Sequence, residues 1–196
     1  ANNALVGNGL SIVTLAHLRR FLVFITGLPG ADRPFALAYS TLAALQALAE
    51  LVRDTPLSTV DDPAARRVFV DRAGALLDAW RAEAYRGAAG RAAARAPQGL
   101  LSGLARDLLP LIDATLQLNQ RGDGLFHSYN LVDFSRPRQA EVGTLYLMLE
   151  GQVAMLSCGA LPLADAVRLL DALFASELFD PRRRSFMLYP DRRLPG

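Results

Sequence analysis

Apolar residues recur along this chain at spacings of three and four, and glycine and proline break the pattern into blocks. That alternation constrains the fold before any other property does. Leu15, Leu18, Leu22 and Ile25 share one helical face, with Gly27 placed as a left-handed cap and Pro29 where a helix cannot continue. A second helix opens at Asp32 as N-cap, with Pro34 in its first turn, and carries Phe35, Leu42, Leu45, Ala49 and Val52 before stopping near Pro56. Asp62 and Pro63 start a third, expected to bury Phe69, Ala73, Leu76, Leu77, Trp80 and Ala84, with Arg67 and Asp71 paired on the solvent side. The fourth presents Leu101, Leu104, Leu108, Leu111 and Ile112, and should kink or break at Pro110, which removes a backbone donor and crowds the preceding turn. A fifth starts at Thr144, carries Leu145, Leu149, Val153 and Leu156, and ends at Gly159. Pro162 restarts the chain into a sixth, whose expected core stripe is Leu163, Val167, Leu170 and Phe174.

The reading is therefore an all-α fold of about six helices packed as antiparallel hairpins, followed by an extended C-terminal strap through Phe186, Met187, Leu188 and Tyr189. A chain of 196 residues suits a single domain, 1–196, with a flexible Ala/Gly/Arg connection near 87–99. No fixed-period repeat is visible, which argues against a solenoid. The chain begins at Ala1 and ends Leu194-Pro195-Gly196, which reads as a piece of a longer polypeptide.

Composition closes several routes. The longest apolar run, Phe21-Leu22-Val23-Phe24-Ile25, is far short of the roughly 18 residues of a membrane span, and Arg19-Arg20 comes too late to open a signal peptide. No membrane association is expected. All 21 basic residues are arginine, a pattern of a GC-rich bacterial genome, and a net charge of +2 does not call for nucleic acid. Arg182, Arg183 and Arg184, with Arg192 and Arg193, read as a solvated basic tail or as a contact for phosphate. The single Cys158 excludes an internal disulfide and fits a cytoplasmic setting. Two histidines and one cysteine without ligand spacing disfavour a metal, and no phosphate loop or nucleophile elbow implies a cofactor.

Chemistry-bearing groups concentrate in residues 119–130. Asn119, Arg121, Asp123, His127, Tyr129 and Asn130 fall within twelve positions, on a polar turn at Arg121 to Gly124 and on Leu125 to Leu131, whose alternating apolar positions fit an extended conformation, in a connection between helices where a ligand site would sit. The same residues are also good structural material: Asp-Gly turns the chain, Asn119 caps a helix, and a histidine can be a hydrogen-bonded structural group. Glu150 stands among apolar neighbours on the fifth helix. Facing inward it would have a raised pKa and could serve as a general acid or base; facing outward it would be an ordinary surface carboxylate.

The segments 119–131, 145–154 and 185–190 together resemble part of large bacterial proteins associated with carbohydrate metabolism, over about the C-terminal half of the chain. The sequence Asp123-Gly124-Leu125-Phe126-His127 after a helix is also similar to the α/α-toroid, six-hairpin glycosidases, in which such turns face a sugar cleft. A full toroid needs about twice as many helices, so the resemblance implies a partial toroid or an irregular bundle. Two functions follow. One is a helical scaffold or interaction domain of a larger bacterial protein, whose partner is the remainder of that polypeptide. The other is part of a carbohydrate-active enzyme, a glycoside hydrolase or phosphorylase, with Asp123 and Glu150 as acid and base. In the second reading Asn119, Arg121, His127, Tyr129 and Asn130 bind sugar.

Overall fold

The computed structural model describes residues 8–28, 30, 33–87 and 93–190. The expected cap Asp32, with Pro29, Arg192 and Arg193, lies outside them, as do residues 88–92 of the expected connection. The described residues form six α-helices, one 3-10 turn and seven short strands. The fold is mixed α/β, which corrects the all-α reading. The strands are two to five residues long, most of them too short to print a period of two on the sequence, and most find partners far along the chain; the extended stretch expected over Leu125 to Leu131 is met by a strand from Tyr129 to Asp133.

Two units are distinguishable. The first comprises Ala1–Arg20, Ile112–Asp133 and Glu141–Gly196; the second comprises Phe21–Leu111 and Phe134–Ala140. Helix α1 (Ile12–Gly27) and helix α4 (Leu100–Leu118) contribute residues to both.

In the second unit, the 36–38 stretch that was expected to be helical is strand β2 (Ala36–Ala38), paired antiparallel with β3 (Ala93–Arg95), and helix α2 begins only at Tyr39 and runs to Arg53. A 3-10 turn (Leu57–Val60) leads into α3 (Pro63–Tyr85). Here the cap expected from the sequence forms: the Asp62 carboxylate accepts from the backbone N–H groups of Ala64 and Ala65. Ala49, Val52 and Leu104 make the buried centre, packed by Leu45, Leu48, Leu108 and Leu111. The α3 stripe is less buried than its spacing suggested. No α3 residue is fully buried, Leu77 and Trp80 are exposed, and the Trp80 indole N–H donates to Thr41 Oγ1 at 3.2 Å. Helix α4 passes through Pro110 without a break. Burial of Leu104, Ala105, Ile112 and Leu116 along its length outweighs the one backbone bond that proline removes.

In the first unit, β1 (Gly9–Ser11), β4 (Tyr129–Asp133) and β5 (Glu141–Thr144) form an antiparallel sheet in the order β1-β4-β5. Thr144, the expected start of the fifth helix, is instead the last residue of the edge strand β5, and helix α5 spans Leu149–Ser157. The intervening run Leu145-Tyr146-Leu147-Met148 is apolar at every position, which no periodicity argument assigns to helix or strand. Gly159 has a φ of +72°, ending the helical turn after α5, and α6 (Leu163–Phe174) starts behind Pro162. The strap is a short hairpin, β6 (Phe179–Asp180) with β7 (Ser185–Phe186), and Leu149 N–H donates to Leu188 O at 2.8 Å. The tail arginines sit at its turn, where Asp180 accepts from the backbone N–H groups of Arg182 and Arg183. Leu116, Leu125, Met148, Met155, Leu169 and Leu178 are its largest fully buried side chains.

Candidate functional site

All seven sequence-derived candidates lie in the first unit, on the turn after α4, on β4 and on the first turn of α5. Asn119 closes the end of α4: its backbone N–H donates to Leu116 O at 3.1 Å, and its Nδ2 takes the Thr115 carbonyl, at 2.7 Å, that a continuing helix would bond through that N–H. Its Oδ1 accepts from Asn130 Nδ2 at 2.6 Å, and its backbone carbonyl from His127 N–H at 2.9 Å. The chain then turns tightly. Arg121 N–H donates to Leu125 O, and Gly124 adopts a φ of +83°, a conformation that favours glycine.

Asp123 closes that turn. Its carboxylate receives the Arg121 guanidinium at 2.8 Å and the Leu125 N–H at 3.1 Å. The Arg121 hydrogen bond holds its pKa below the usual carboxylate range, so Asp123 stays ionised and is a poor proton donor. His127 points Nδ1 at Leu145 O, 3.2 Å away. A carbonyl accepts only, so Nδ1 carries the proton, and burial lowers the imidazole pKa and favours the neutral ring.

Tyr129 and Glu150 form a pair between β4 and the start of α5. Burial, joined by the hydrogen bond to the Glu150 carboxylate, pushes the phenol up to about 12. Glu150 stands in the first turn of α5, where the helix N-terminus favours a negative charge. Its Oε2 and Asn130 Oδ1 are buried with no hydrogen-bond partner among the described residues.

Two residues that the sequence reading passed over organise the segment. Gln152 is fully buried and works as a substitute strand: Oε1 accepts from Phe126 N–H at 2.8 Å, and Nε2 donates to Phe126 O at 2.7 Å and Met148 O at 2.9 Å. Ser128 Oγ donates to Met148 O at 3.1 Å and accepts from Gly151 N–H at 2.8 Å. A signal for Gln152 existed. It sits midway between Met148 and Met155 at helical spacing, one amide inside an apolar face.

A groove of about 420 Å³ in the same unit is lined by Asp113, Gln117, Phe126, Met155, Asp165 and Arg168 among others, and by none of the seven candidates. Its charges are paired, Asp113 with Arg19 at 2.5 Å and Asp165 with Arg168. Among the described residues no cluster of three or more His, Cys, Asp or Glu is placed to hold a metal ion, and no helix is long and apolar enough to cross a membrane. No family model matches the chain, and no curated protein matches it.

Proposed function

We propose that this chain is a non-catalytic scaffold and interaction domain, built as a mixed α/β structure, in which residues 119–130 are a structural clasp. The observation that carries this reading is where the polar groups point. Asn119, Arg121, Asp123 and His127 are bound to one another or to backbone within the segment and its neighbours, and none of them reaches the groove. A glycosidase needs one carboxyl that is protonated and one that is not, roughly 5 to 9.5 Å apart across a cleft. Asp123 is held ionised by Arg121, and neither Asp123 nor Glu150 lines the groove, so the carbohydrate-active alternative draws no specific support.

The test uses Asp123→Ala and a panel of mono- and oligosaccharides. The scaffold reading expects a melting temperature lower by roughly 2–4 °C, since the pair is half exposed, with no heat of saccharide binding and no hydrolysis in either protein. Saccharide turnover by the unmodified chain that Asp123→Ala or Glu150→Gln abolishes would overturn it.

A further inference from the structure

Helix α6 is apolar on two faces, and the fold uses only one of them. Leu169 and Leu173 are buried at 1% and 4% exposure. The stripe expected in the core, Leu163, Val167, Leu170 and Phe174, is instead exposed at 82%, 49%, 40% and 55%. Single exposed leucines are ordinary on protein surfaces, but these four are spaced four, three and four, the heptad interval that puts side chains on one straight seam between two helices.

We propose that this seam is a self-association surface whose occupant is α6 of a second copy of this chain, running antiparallel. The proposal names the partner of an interaction domain and so rests on that reading. A two-fold axis midway along the seam sets Val167 against Leu170 of the second copy and Leu163 against its Phe174, so every seam residue meets another and the patch is its own complement. The flanks agree. At 100° per residue, Arg168 and Asp171 lie on the same side of the seam, and the two-fold brings like flank to like flank. Arg168 of each copy then meets Asp171 of the other. Asp171 has no ion-pair partner among the described residues, while Arg168 reaches Asp165 only in an exposed pair. Ala164 and Ala166 leave the helices room to approach. At the end of the seam, Phe174 packs edge-on against Phe179 and Phe186 at centroid distances of 5.1 and 5.0 Å, so Leu163 of the second copy lands on an aromatic cluster that extends the contact beyond the helix.

The experiment is sedimentation velocity on the full chain from about 1 to 200 µM, a range that brackets a micromolar dimer. The expected result is a concentration-dependent monomer–dimer equilibrium that Leu170→Asp weakens by at least about tenfold, with unchanged circular dichroism. The charge pairs give a sharper arm. Arg168→Asp and Asp171→Arg each weaken self-association alone, and mixing the two variants restores dimers as heterodimers, because both cross-pairs become complementary. A chain that stays monomeric throughout, a dimer indifferent to Leu170→Asp, or variants that fail to pair on mixing would each overturn the proposal. A monomer that binds no saccharide ends this inference alone; a dimer that hydrolyses saccharide ends the scaffold reading alone.

Discussion

Replacing Gly151 by alanine should destabilise the chain, although the same change in most helices does the reverse. Alanine is the better helix former by about 1 kcal/mol, and Gly151 has helical neighbours on both sides. A Cβ there would lie 2.5 Å from Ser128 Oγ, 3.0 Å from Ser128 Cα and 3.2 Å from His127 O. The hydroxyl cannot swing aside freely, since it is bonded to Met148 O and Gly151 N–H, and the other two atoms are backbone. Overpacking of this kind costs roughly 1–3 kcal/mol and each bond lost about 1 kcal/mol, so the net loss is about 2–4 kcal/mol after the propensity gain. For a chain of 196 residues that is a fall in melting temperature of roughly 5–15 °C. Gly74 and Gly103 are internal controls, also in helices but with nothing within 4 Å of a built Cβ, and alanine there should stabilise by about 0.5–1 kcal/mol. Urea and thermal unfolding followed by circular dichroism read all three. Ser128→Ala added to Gly151→Ala removes the closest contact but leaves the two backbone ones, and should recover only part of the loss. If Gly151→Ala is as stable as the unmodified chain, the tight clasp between residues 127–128 and α5 is refuted.

Two further perturbations probe the same clasp. With its phenol raised to about 12 from an ordinary 10.0, Tyr129 favours the fold in its neutral form. That stability is whole below pH 10 and is lost as pH rises from 10 towards 12, by roughly 2–3 kcal/mol over the full traverse. Urea unfolding across this range should show the decline, and Tyr129→Phe should flatten it; a variant that keeps the same slope removes Tyr129 as its source. Gln152→Leu keeps the volume and strips three hydrogen bonds, leaving Phe126 N–H and Phe126 O buried and unmet, for a cost of about 2–4 kcal/mol. Thermal denaturation of Gln152→Leu within about 0.5 kcal/mol of the unmodified chain would contradict the role given to that amide.

What could be read from the sequence is what acts over three or four residues. Asp62 and Pro63 announce a helix start because the capping carboxylate and its N–H partners are two and three positions apart. Residues 119–130 were legible as a polar cluster for the same reason. Its meaning was not, because the partners of His127 and Ser128 lie 18 and 20 residues away and a polar residue on a turn looks alike whether it faces ligand or backbone. The other strands were missed on the same ground, since Gly9 shows nothing of Leu131, whereas the alternation from Leu125 to Leu131 did announce an extended stretch that β4 overlaps from Tyr129. Helix α6 failed differently. Its periodicity was correct, but a helix with two apolar faces does not say which one its own chain covers, and Leu169 and Leu173 were the buried pair.

The antiparallel pairing of β1 with β4 also sets a timetable. Gly9 pairs with Leu131, 122 residues later, while most of the second unit is a continuous stretch, Phe21–Leu111. At roughly 5–20 residues per second of synthesis, the first strand waits about 6–25 s for its neighbour, and the second unit has its main segment complete meanwhile. During that interval β1 is an open edge, and its three-residue length keeps that edge a poor template for another chain.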